Sequence, residues 1–102
     1  MYTRLPRLDF ERLAKLKATV SVPLVLHGGT GTPEKDLKKS ISLGIAKVNV
    51  ATELMLAVRC GLTEQWSAGK NLWVPVAQAA TMQAFARVVE KWIHLCGAAG
   101  RA

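Results

Sequence analysis

The chain has 102 residues, half of them hydrophobic, with no apolar run of the length a membrane helix needs and no basic-then-apolar leader at its start; a soluble, cytoplasmic protein is expected, not a membrane or secreted one. Fourteen Lys and Arg against seven Asp and Glu give a formal charge of +7 and an attraction to anions. The cations Arg4, Arg7, Arg12, Lys15, Lys17, Lys35, Lys38, Lys39 and Lys47 are dispersed, without RNA-binding aromatic strands, zinc-finger spacing or an arginine-rich tail, so solvated helix faces are expected and nucleic acid is not.

In chain order, "RLDFERLAKLKATV" opens a first helix with Asp9 as N-cap, Leu8 and Leu13 placed for a hydrophobic staple, and Phe10, Leu13, Leu16 and Val20 along one face. "VPLVLHG" reads as a short strand buried on both faces, bounded by Pro23 and by glycines. "TPEKDLKKSISLG" returns to helix, with Thr32 as cap, Pro33 in the first helical position, Glu34 and Asp36 in the first turn and Gly44 as the stop. "IAKVNVA" repeats the strand signal. "TELMLAVRCGLTEQW" is a third helix, capped by Thr52, with Leu54, Val58 and Leu62 in line. After the break "SAGKN", a last amphipathic helix carries Phe85, Val88, Val89, Trp92, Ile93 and Cys96 and ends in the glycine of "CGAAGRA". Cys60 and Cys96 stand far apart outside any CxxC pattern and are expected as reduced packing thiols.

Strands alternating with helices imply βαβ units and a parallel sheet. Two parallel strands make a poor domain, because each has an unpaired edge and both faces need cover, so the chain reads as one sector of a larger α/β structure. On its own such a sector is expected to aggregate or stay molten, which a sharp cooperative unfolding transition of the monomer would contradict.

Alternation puts Pro23, Val25 and His27 on one face of the first strand, with His27 at its C-terminal end, and Lys47 and Asn49 on one face of the second, with Asn49 at the equivalent end. The C-terminal ends of strands are where α/β barrels and open sheets hold their chemistry. "GGTG", Gly28 to Gly31, allows a tight turn that aims backbone N–H groups at an anion, with the Thr30 hydroxyl as a further donor. Neither GxGxxG nor GxxxxGK[ST] is present, so these residues alone leave open a phosphate cradle and an ordinary glycine turn. A lone strand-end histidine is likewise more often a hydrogen-bonded structural residue than a metal ligand.

The segment "PLVLHGGTGTPEKDLKKSISLGIAKVNVATEL", Pro23 to Leu54, resembles the hallmark of the class II, zinc-dependent ketose-bisphosphate aldolases: an HGG[ST]G turn, then about twenty residues later a K-[VI]-N-V-x-T motif. "RLDFERL" before it and "CGAAGRA" after it agree as well, and "NVATEL" is closest to the tagatose- and fructose-bisphosphate aldolase branch. The resemblance implies that residues 1–102 form a single partial domain, the C-terminal portion of a TIM (β/α)8 barrel, about strands 7–8 with their flanking helices. It implies that His27 is a Zn2+ ligand, and that Gly28, Gly29 and Thr30, with Asn49, Val50, Ala51 and Thr52, bind dihydroxyacetone phosphate.

In the reaction so implied, zinc polarises the ketone and stabilises an enediolate while an aspartate moves the proton. A ketose bisphosphate, tagatose or fructose 1,6-bisphosphate, is thereby split reversibly into dihydroxyacetone phosphate and glyceraldehyde 3-phosphate. A monovalent cation is a further cofactor and homo-oligomers are the full-length state that the resemblance implies.

Such a barrel takes about 250 residues, so the catalytic aspartate and the other histidine ligands are expected upstream, with Met1-Tyr2 an internal start just after an Ala-His-Gly. No catalytic residue is therefore expected in this chain, and His94, among Trp92, Ile93 and Leu95, is not expected to replace a ligand. "NLWVPVAQAATMQAF" lacks the charged, helix-forming character expected at its place, which bears on the second phosphate and on oligomer contacts. The alternatives are a non-catalytic module that complements a separately encoded N-terminal part, and a basic anion-binding protein.

Overall fold

The computed structural model describes residues 6–70 and 72–101. The reading of Met1-Tyr2, the charge of Arg4, the end of the polar break at Asn71 and the terminal Ala102 lie outside the described residues. The element order is α1 (Phe10–Thr19), β1 (Leu24–Leu26), α2 (Glu34–Ser42), β2 (Ile45–Val48), α3 (Thr52–Ser67) and α4 (Val74–Leu95). These α/β elements fall into two compact units, residues 1–50 with 95–102, and residues 51–94. No helix among the described residues is long and apolar enough to cross a membrane.

In the first unit, α1 begins as expected: the Asp9 side chain accepts from the Arg12 N–H at 2.9 Å, satisfying one of the helix's orphan donors. The cap of α2 differs. The helix starts at Glu34 with Pro33 in the cap position and no side-chain cap, and the Pro33 carbonyl accepts from the N–H groups of Asp36 and Leu37, each at 2.9 Å. Thr32, expected as the cap, lies one residue before it, and its N–H donates to the Gly29 carbonyl at 3.1 Å, which ties it into the glycine turn. Gly44 ends the helix at φ 111°, and the Lys17 stem lies so close that an added Cβ would meet its Cδ at 2.8 Å.

β1 and β2 pair in parallel, Leu24 with Ile45, Val25 with Lys47 and Leu26 with Val48, so Ala46 is an extra residue on β2. α2 packs against β2, and the buried residues of this unit are Gly29, Leu37, Ser40 and Ile45. The Ser40 hydroxyl turns back to the Leu37 carbonyl at 2.7 Å, which makes its burial tolerable. The expectation that the first strand is buried on both faces holds for one side only. Val25 is 40% exposed and its pair Lys47 is exposed, while Leu24 and Leu26 are half-buried.

In the second unit, α4 reaches back to Val74 instead of starting near Phe85. Pro75 falls in the first turn, where its missing N–H has no helical partner to lose, and Ala77, Ala79, Ala80 and Ala84 are strong helix formers without any charge. The core here is Ala77, Thr81 and Trp92. Gly61 of α3 faces Thr81, where an added Cβ would lie 2.6 Å from its Cγ2, so the glycine permits the close approach of α3 and α4. Of the expected stripe, Trp92 is buried, Phe85, Val88 and Val89 are half-buried and Ile93 is exposed. Both cysteines are free; Cys60 is exposed, against the expectation of a packing thiol, and burial pushes the Cys96 thiol up.

Candidate functional site: the strand ends at His27 and Asn49

The two parallel strands end level with each other. Past Leu26 and Val48 the register brings His27 beside Asn49, and the Ala46 bulge is what sets it: without the extra residue, side chains beyond it would fall on the opposite face. Three hydrogen bonds fix the pair. The Asn49 N–H donates to the Leu26 carbonyl at 2.9 Å, the Gly29 N–H donates to the Asn49 carbonyl at 2.9 Å, and Asn49 Nδ2 lies 3.1 Å from His27 Nδ1. His27 and Gly28 are exposed, while Asn49 and Val50 are half-buried.

The glycine turn is built on left-handed backbone at Gly28 (φ 68°) and Gly31 (φ 82°), which only glycine adopts without strain. Gly29 is buried, and its N–H is spent on Asn49, so it is not free for an anion as placed. Among the described residues the N–H groups of Gly28 and Thr30 make no backbone bond. The Thr30 hydroxyl oxygen is buried without a hydrogen-bond partner among the described residues. Leaving such a group unpaired costs about 1–3 kcal/mol, a cost that a ligand oxygen or an ordered water at this place would remove.

In the second unit, Ala51 occupies the cap position of α3 and Thr52 is its first helical residue, against the expectation of Thr52 as cap; no side chain caps this end. Both are exposed, at the end of a helix that presents free N–H groups and a partial positive charge. The next residue, Glu53, holds α4: its carboxylate accepts from Lys91 Nζ at 2.5 Å and from the Trp92 indole N–H at 2.8 Å. Partial burial pushes the Glu53 carboxyl up, but the bonds from Lys91 and Trp92 and the Lys91 charge outweigh it, and the carboxyl titrates below its ordinary range.

No cluster of three or more metal-ligating side chains occurs among the described residues. His27 is a single imidazole, where a protein zinc site uses three or four ligands. His94 is exposed and stands apart from any such cluster. The sequence pointed to His27, the glycines, Thr30 and Asn49. The Gly29 to Asn49 bond and the Glu53 tie to Lys91 and Trp92 were missed, since no local pattern encodes pairings 20 or more residues apart.

The fold is an α/β one with a two-stranded parallel sheet, and the chain belongs to the class-II fructose-bisphosphate aldolase family, whose model matches residues 1–101. Among solved structures it is similar to the YdjI aldolase from Escherichia coli K12, with a TM-score of 0.84 and 36% sequence identity over 95% of this chain. The chain spans 36% of the length of that protein.

Proposed function

We propose that this chain is the C-terminal sector of a TIM-barrel class II aldolase, about strands 7–8, carrying one zinc-ligating histidine and the dihydroxyacetone-phosphate corner of the active site. The observation that carries this reading is the pairing of His27 with Asn49 at the ends of two parallel strands, with the partnerless Thr30 hydroxyl in the turn between. A phosphate site after strands seven and eight is where such barrels place one.

His27 would hold Zn2+, which when bound supplies Lewis-acid polarisation of the substrate carbonyl. The chain's own residues orient the substrate. Thr30 donates its hydroxyl and Gly28 and Thr30 their N–H groups to the phosphate, and Gly29 lets the backbone come close. Asn49 offers its amide to the substrate's hydroxyl oxygens. The reaction served is reversible cleavage of tagatose or fructose 1,6-bisphosphate, and the proton-moving carboxylate and remaining ligands come from outside these residues. Alone, the chain does not cleave the bisphosphate.

Hydrogen-exchange mass spectrometry of the chain with and without dihydroxyacetone phosphate tests this. Protection confined to peptides covering 27–31 and 49–50 is expected. Protection spread over the lysines of α1 and α2 would instead favour a dispersed anion-binding surface, and no protection anywhere would sink the reading.

A further inference from the structure

Helix α4 has two apolar faces, and the second unit covers one of them. Ala77, Thr81 and Trp92 are buried, Thr81 against Gly61 and Trp92 on Glu53 of α3. Opposite them, Pro75, Val76, Ala79, Met82, Gln83 and Ala86 recur at the i, i+1, i+4, i+7, i+8, i+11 spacing of a second stripe, and all six are exposed. No charged residue occurs from Asn71 to Ala86, although the chain carries a net charge of +7. A helix apolar on both faces is one that is covered on both.

The open surface is large enough to matter. Val76 is 51% and Met82 68% exposed, and Leu72 and Trp73, just before the helix, are 84% and 76% exposed. Bare side chains of this size present roughly 150–250 Å2 each. With the small residues of the stripe, on the order of 600 Å2 lies open, most of the ~800 Å2 that each partner brings to a stable interface. The charges at the two ends of the stripe say what fits it. Lys70 lies before it and Glu90 beyond it, both exposed and neither in an ion pair among the described residues.

We propose that α4 is a self-association surface, on which a second copy of the chain lays its own α4 antiparallel, the two-fold axis passing between Ala79 and Met82. That register sets Ala79 of each copy against Met82 of the other, small on large, and brings Lys70 of each to the turn carrying the other's Glu90, so the same ion pair forms twice. A parallel pairing would instead put Glu90 on Glu90 and Arg87 on Arg87 and align the two helix dipoles. The inference does not rest on the aldolase reading, and its test uses neither substrate nor metal.

Sedimentation of the full chain over a range of concentration is expected to show a monomer–dimer equilibrium. Ala79→Glu puts like charges beside the axis and is expected to raise the dimer Kd about a hundredfold or more, with helical circular dichroism unchanged. Glu90→Lys is expected to raise it about threefold to tenfold, and adding Lys70→Glu to restore it, which a merely local effect of either residue would not do. In a chain carrying Cys60→Ser and Cys96→Ser, Ala79→Cys is expected to form a bridged dimer in air, while Ile93→Cys, on the same stripe but far from the axis, stays unbridged. A chain monomeric at every concentration, full affinity in Ala79→Glu or Glu90→Lys, a double charge reversal that restores nothing, or bridging at Ile93→Cys as ready as at Ala79→Cys would each overturn the proposal.

Discussion

At the residue scale, glycines and one hydroxyl carry the clearest consequences. Gly44 combines left-handed backbone with the Lys17 stem pressed against the place of a side chain. Gly44→Ala is expected to cost about 1–3 kcal/mol through backbone strain, read as faster amide exchange at the end of α2 and the start of β2. An unchanged exchange pattern would mean that the turn relaxes freely. The sequence marked Gly44 as a helix stop, and it marked His27 and Asn49 as neighbours through strand alternation. It did not show that the Gly29 N–H is spent on the Asn49 carbonyl, because that bond depends on the register set by the Ala46 bulge.

At the element scale, helix boundaries were legible where a side chain caps the helix locally, and were off by a residue or more where none does. Asp9 caps α1 as its spacing implies, while Thr32 and Thr52, equally good cap residues, do not cap, and α4 runs through an uncharged alanine-rich stretch. The α3–α4 pairing depends on Gly61 packed at Thr81 and on Glu53 held by Lys91 and Trp92. Because the folded carboxyl of Glu53 titrates below its unfolded value, its contribution is present above the ordinary carboxylate range and is lost as pH falls through the lowered folded value. Near-UV circular dichroism of the tryptophans, followed downward from neutral pH, is expected to hold through the ordinary glutamate range and change below it. Glu53→Gln is expected to remove that step; a step that survives would assign it to another carboxylate.

At the scale of the whole molecule, the family and the α/β order of elements were legible from one motif-bearing segment, Pro23 to Leu54, since the spacing of histidine, glycines and asparagine is set by a strand, a helix and a strand in turn. The division into two units was not, because it depends on which helices pack and not on their periodicity. The second unit leaves Leu72, Trp73, Val74, Val76 and Met82 exposed, apolar surface of the kind that other protein covers. What decides the function is whether the glycine turn holds a phosphate. The most direct measurement is the affinity for dihydroxyacetone phosphate across a range of salt, in the chain and in Thr30→Val. Expected are one site with a shallow salt dependence and a loss of about tenfold or more in the variant, the worth of a hydrogen bond to a charged group. Equal affinities in the two proteins, or a steep salt dependence shared by both, would place the anion on the dispersed lysines and contradict the assignment.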